Sequence, residues 1–156
     1  SARKNLHNSF KQNFLFKKLN SECAFDVERV YEIIRVNRES KGFPLRMSLQ
    51  NVLDTVNVIK ADFFVLIYQN EDVAAAQVFH VSTDVVQVIY WGDVPGHAEL
   101  RAMNYLAYKV FEYYASLKIK IVDIGPSTEN GIPNYGLCEF KENIGCSISL
   151  KYTFLL

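Results

Sequence analysis

Apolar positions change period twice along the chain. Between Asp26 and Val56 they recur at every third or fourth residue, as in helices with one buried face. Val27, Val30, Tyr31 and Ile34 form the stripe of a helix from Asp26, its N-cap, to about Ser40, with Gly42 and Pro44 ending it. Leu49, Val52, Leu53 and Val56 mark a second helix capped by Ser48. After Lys60 the period shortens to that of strands, over Phe63–Gln69, Val73–Ser82 and Val85–Gly92. The turns between them, Asn70-Glu71-Asp72 and Thr83-Asp84, are too short for a crossover, so the three strands form an antiparallel meander.

Ahead of these lie a short basic helix over Ala2–Gln12 and a strand over Asn13–Leu19, with Phe14 and Phe16 on one face. Beyond the meander, a loop from Asp93 to His97 leads into a long helix over Ala98–Leu117, whose packed face is Leu100, Met103, Ala107, Val110 and Tyr114. Ile119–Ile124 then reads as a central strand, apolar on both faces by Ile121-Val122 and stopped by Gly125-Pro126. Leu137, Phe140 and Ile144 place a short helix over about Asn134–Asn143, with Gly145 at its C′ position. A last strand spans Ser147–Phe154. The order is β-α-α-β-β-β-α-β-α-β in one α/β domain over residues 1–156. Val85–Gly92 and Lys120–Ile124 are expected side by side and parallel, joined by the long helix as a right-handed crossover.

Composition excludes more than it selects. With 49% apolar and 22% charged residues, the chain is that of an ordinary globular domain. A formal net charge of zero gives no overall field for a polyanion or an acidic membrane. The charge is uneven, since Arg3, Lys4, Lys11, Lys17 and Lys18 all precede the first acid, Glu22. That run is either a solvated face or a local phosphate patch. Cys23, Cys138 and Cys146 are odd in number with no C-x-x-C, which fits buried free thiols and a cytoplasmic setting. No signal peptide, membrane span or metal site is expected. The chain starts at Ser1 without an initiator Met, as a fragment of a longer protein would.

In a mixed α/β sheet, chemistry sits beyond the C-terminal ends of the central strands. Two loops meet there, 92–98 and 125–135. Asp93, His97 and Glu99 are the proton acceptors nearby, and His needs the least tuning to act near neutral pH. Asp93 also suits initiation of the turn at Pro95. Asp123 suits accepting N–H groups of the loop after Gly125. Tyr90 and Trp91 end a strand facing this region, as rim or substrate platform. Asn134 is a helix cap or a substrate contact, Tyr135 is a substrate contact at the helix start, Phe140 is core or a substrate contact, and Lys141 is a solvated residue or a catalytic cation that steadies an oxyanion or a phosphate.

Asp123-Ile-Gly125, Gly136-Leu137, Phe140-Lys141 and Gly145 resemble the C-terminal signature of FemAB-like proteins, a branch of the GNAT N-acyltransferase superfamily. The Arg-Lys-rich opening, Ala2-Arg-Lys-Asn-Leu6 with Lys11 and Asn13–Leu19, resembles the way such domains begin. The resemblance implies a GNAT-like fold with a central mixed sheet, an antiparallel meander and helices on both faces. It implies transfer of an acyl or aminoacyl group to a small-molecule or peptidyl amine, in FemAB-like proteins a cell-wall precursor. The broad superfamily implies acetyl-CoA or another acyl-CoA as donor; the closer branch implies aminoacyl-tRNA. A second GNAT-like domain ahead of this one, with this one as a non-catalytic half, is the alternative that tandem proteins suggest.

The resemblance also assigns residues. It places Gly96, Ala98 and Arg101 where the superfamily binds pyrophosphate, but this sequence has one glycine there and puts Glu99 in the first turn. Weak or absent CoA binding is the expectation. It places Lys141 where ordinary GNATs carry a tyrosine acid, and where FemAB-like enzymes use a lysine beside the substrate channel. A surface lysine at that position would leave stability nearly unchanged when removed.

Overall fold

The computed structural model describes residues 2–129, 131–152 and 154. Among these, one sheet has the order β1 (Leu15–Leu19), β2 (Ala61–Tyr68), β3 (Glu71–His80), β4 (Val85–Asp93), β5 (Ile121–Asp123). From β1 to β4 each strand runs antiparallel to the next. β5 is parallel to β4, with Val85 opposite Ile121 and Gln87 opposite Asp123. Helix α4 (Ala102–Ser116) makes the crossover between them, as the sequence predicts.

Both faces of the sheet are covered. Helices α2 (Ala24–Ser40) and α3 (Leu49–Val56) bury Val27, Val30, Ile34 and Val52 against Phe63, Val65 and Ala75. On the other face, α4 buries Leu106, Val110 and Tyr114 against Phe64, Leu66, Val78 and Val88. Helix α1 (Ala2–Phe10) lies on α4, where the Phe10 ring meets those of Tyr105 and Tyr108 edge-on. β2 is buried on both faces, so it reads as an almost unbroken apolar run. Each buried Phe or Leu there contributes roughly 1.5–3 kcal/mol.

Local signals fix several ends. Ser48 caps α3 in a reciprocal box: its hydroxyl accepts from the Asn51 N–H at 3.2 Å, and the Asn51 side chain accepts from the Ser48 N–H at 3.1 Å. Ser48→Ala should therefore lower stability by about 1 kcal/mol, and Tm by about 2–4 °C; a thermal melt checks this. Helix α5 (Tyr135–Asn143) begins on Asn134, whose side chain accepts from the Leu137 N–H at 3.1 Å. It ends in a paired closure, Gly145 N–H to Glu142 and Cys146 N–H to Lys141. Gly145 supplies the positive φ, +96°, that this closure needs.

Five expectations are corrected. Asp26 is in the first turn of α2, not at its cap; Cys23 precedes the helix, and the Asp26 carboxylate accepts from the Asn20 N–H. β5 is a three-residue edge strand rather than a central one, because Ile121 points to solvent and is 55% exposed. The long helix is broken at Arg101 (φ 55°, ψ 37°) into a 3-10 turn, Ala98–Leu100, and α4. No strand forms over the described residues of 147–154; Ile148, Leu150, Tyr152 and Phe154 keep the alternation but are at least 75% exposed, with no layer over them. Thr153 lies outside the described residues. The three cysteines are free but only half-buried. The polar turn after Pro126 also carries a small ladder, β6 (Thr128–Glu129) with β7 (Ile132–Pro133).

Candidate active site

The sheet opens between β4 and β5. Along β4, Val88 pairs with Val78 and Tyr90 with Gln77, so Ile89 is an extra residue. This bulge turns Ile89 and Tyr90 to the same side, toward α2, and bends the strand. β5 pairs with β4 only as far as Gln87–Asp123. Beyond it, Val88–Asp93 has no strand partner on that edge among the described residues. An edge left without a strand partner over Val88–Gly92 is one that an extended ligand can pair with.

The β5 side of the wedge is fixed by Asp123. One carboxylate oxygen accepts from the Gly125 N–H at 2.8 Å, as expected; the other accepts from Lys151 at 2.5 Å and the Gln87 amide at 3.2 Å. Burial works to raise the pKa of this carboxyl, but the bonds from Lys151 and Gly125 outweigh it and hold it below the ordinary value. Gly125 then turns the chain away at φ 73°.

Helix α5 bridges the wedge through two consecutive residues. The Phe140 ring meets Trp91 of β4 edge-on, with centroids 6.1 Å apart. The Lys141 ammonium reaches the other wall and donates to the carbonyls of Gly125 (2.8 Å) and Pro126 (2.9 Å). Lys141 is 7% exposed, so it is no surface lysine, and burial pulls its pKa below the ordinary value. Two of its three N–H groups are used, and one remains. Burial likewise pushes the nearby Cys146 thiol up.

The remaining predicted residues divide. Tyr90 is on the α2 face, away from Trp91. The Asp93 main-chain oxygen and carboxylate accept from the Asn37 amide, at 2.6 and 3.0 Å. His97 is half-buried at the head of the 3-10 turn, and its carbonyl accepts from the Leu100 N–H. Gly96, Ala98 and Arg101 are exposed, with Gly96 at φ 95°. Asn134 is engaged as the α5 cap, and Tyr135 is 79% exposed. The turn before α4 departs from a glycine-rich phosphate loop. Leu100 is buried in the core, Glu99 is on the surface of the turn, and the left-handed Arg101 separates this turn from the first turn of α4.

Two clusters escape the sequence reading. Asn37 is 3% exposed and stands so close to β4 that a Cβ on Gly92 would come within 2.5 Å of it. Asp62, on β2, accepts from His80 (2.6 Å), Tyr114 (2.7 Å) and Lys18 (2.7 Å) at the end of the sheet away from the wedge. Among the described residues, no group of three or more His, Cys, Asp or Glu could hold a metal ion. No described helix is long and apolar enough to cross a membrane.

No family model and no curated protein sequence matches the chain. Solved structures do. A crystal structure of FemX superposes with a TM-score of 0.72 at 11% identity, over 92% of this chain and 53% of that one. A predicted acetyltransferase from Clostridium acetobutylicum, solved with acetyl-CoA, gives 0.68 at 9% identity, over 92% and 96%. An aminoglycoside acetyltransferase from an uncultured soil metagenomic sample gives 0.63 at 11% identity, over 92% and 96%. The chain thus spans about half the length of FemX and nearly all of the other two.

Proposed function

From the GNAT acyltransferase fold of this chain, we propose that the domain moves an acyl group onto an amine, and that transfer takes place in the wedge between β4 and β5. The observation that carries this reading is the bulge at Ile89 together with the end of β4–β5 pairing at Gln87. It leaves a strand edge beside a buried cation, under an aromatic roof of Trp91 and Phe140. The amine nitrogen attacks the acyl carbon; a C–N bond forms, and the bond to the donor's leaving atom breaks. His97 takes the amine's proton, and the leaving atom takes one from solvent. The free N–H of Lys141 meets the oxygen that becomes negative at the tetrahedral stage. Tyr135 and Trp91 contact substrate at the mouth and wall of the wedge.

The donor is of the acyl-CoA or the aminoacyl-tRNA class, and the acceptor is a small-molecule or peptidyl amine, such as a cell-wall precursor. The broken turn at Arg101 weighs against CoA. Calorimetry with acetyl-CoA at tens of micromolar protein should give a Kd well above ~1 μM, the value equivalent to about −8 kcal/mol. A Kd near ~1 μM would return the donor to acyl-CoA. For aminoacyl-tRNA, the exposed Arg3, Lys4, Lys11 and Lys17 are the contacts to neutralise.

A second reading has its own support. The chain covers 53% of FemX, and Lys141 already spends two N–H groups on the loop after β5. In this reading the domain is the non-catalytic half of a two-domain protein and supplies a cleft wall. Transfer assays on the longer protein, with Lys141 altered, separate the two.

A further inference from the structure

On the α2 side of β4, a cleft of about 320 Å³ lies between the last turn of α2 and the loop that leaves the strand. Its walls include Asn37, Ser40, Lys41 and Asp93. The geometry points to a subsite here for a primary ammonium group: Asp93 is its counter-ion, Asn37 aims Asp93, and the Lys41 ammonium is a resident occupant that an incoming cation displaces. This rests on the amine-acceptor reading above and adds where the acceptor's charge is held.

Asn37 does the aiming. Its buried amide donates to both the main chain and Oδ1 of Asp93, so the carboxylate cannot rotate freely. Gly92 has no room for a side chain because of this contact, which fixes the spacing of α2 and β4. The other carboxylate oxygen, Oδ2, makes no hydrogen bond among the described residues. The Asn37 side-chain oxygen accepts from Lys41 Nζ at 3.3 Å. The Ser40 hydroxyl donates to the Asn37 carbonyl at 2.8 Å, which leaves its lone pairs free.

A cation already stands there, loosely. Lys41 Nζ is 4.0 Å from Asp93 Oδ1, and its side chain is 59% exposed. Such a pair is screened by water and weakly held. Once Lys41 swings out, three acceptors line the cleft: Asp93, Asn37 Oδ1 and Ser40 Oγ. They match the three N–H groups of a primary ammonium; a quaternary ammonium has no N–H to give, and a neutral amide has no charge. One carboxylate and one ammonium balance, so a second cation enters by exchange.

The test is an NMR titration of the isotope-labelled full chain with 1,5-diaminopentane, its bis-trimethylammonium analogue and its diacetylated form. Only the diamine should give saturable shifts at Lys41 and at Asp93–Gly96. Asp93→Asn, which keeps the main-chain bond to Asn37, should weaken that binding at least about tenfold, the scale of one lost charged hydrogen bond. Lys41→Met should tighten it by about three- to tenfold, because the competing occupant is gone. Shifts elsewhere, equal shifts from all three compounds, or weaker binding in Lys41→Met would each overturn the subsite. Acyl transfer is measured on the same samples. Binding as described without transfer keeps the subsite and removes the transferase reading. Transfer whose KM for the diamine is unmoved by Asp93→Asn keeps the transferase and removes the subsite.

Discussion

Replacing Asp62 by Ala destabilises the fold by on the order of 3 kcal/mol, a fall in Tm of about 6–12 °C for a chain of this size. The carboxylate is 2% exposed and joins four elements: Lys18 of β1, Asp62 of β2, His80 of β3 and Tyr114 of α4. Its removal leaves the buried Tyr114 hydroxyl without an acceptor and strands the His80 ring. Tyr114→Phe removes one donor and leaves the carboxylate two, so it should cost only about 1 kcal/mol. Burial works to raise the Asp62 pKa, but the bonds from Lys18, His80 and Tyr114 overcome it and hold the carboxyl below its ordinary value. Burial and the same bond push the Tyr114 hydroxyl well above its own. For Asp62 the linkage has the acid sign: the folded-state pKa is the lower one. Its contribution is fully present above the unfolded value of about 3.9 and is lost as pH falls through the folded value. Denaturant titrations at neutral pH and at decreasing acid pH should show the wild type losing this increment while Asp62→Ala does not. Equal acid sensitivity in the two proteins would show that the cluster contributes little.

Replacing Lys141 by Met lowers acyl transfer by a factor of roughly 10²–10³, the cost of one donor to a developing oxyanion. It also costs about 2 kcal/mol of stability, because the Gly125 and Pro126 carbonyls lose their ammonium donor while the aliphatic stem is retained. The two effects are separable. Melts give the stability change, and turnover is measured at a temperature where the variant is fully folded by circular dichroism. A drop in Tm with undiminished turnover per folded molecule would make Lys141 a strut for the loop after β5 and nothing more.

The element order was legible because the apolar period changes sharply at Lys60, and because Ser48, Asn134 and Gly145 are local end signals that tertiary packing did not override. For β5 the sequence is ambiguous, because Ile121-Val122 looks the same whether one face or both are covered; only the sheet order shows that Ile121 faces solvent. The break at Arg101 carries neither Gly nor Pro. It arises because the chain buries Leu100 before α4 starts, a tertiary demand no local residue announces. Over 147–154 the apolar residues Ile148, Leu150, Tyr152 and Phe154 alternate as a strand would, but alternation does not supply a partner edge.

The site was less legible. Lys141 looks like a solvated residue because nothing nearby in sequence shows that the carbonyls of Gly125 and Pro126 stand over it. Asn37 and Asp62 did leave a signal. Asn37 extends the buried stripe Val27, Val30, Ile34 by three residues, and Asp62 is the polar residue inside the apolar run Ala61–Ile67. A polar residue on a buried face has to be satisfied by partners. Their partners, Asp93 in one case and Lys18, His80 and Tyr114 in the other, are far away in sequence, so only the fold names them.

Transfer from a labelled donor is the measurement that bears most directly on the wedge between β4 and β5. The protein that carries this chain, at its natural length, is incubated with a primary amine and either radiolabelled acetyl-CoA or tRNA charged with a radiolabelled amino-acid mixture, beside Lys141→Met. The expected result is label in the amine from one of the two donors, reduced roughly 10²–10³-fold in the variant. A folded protein that moves label from neither donor, or a variant that moves it as fast as the wild type, would contradict a catalytic wedge.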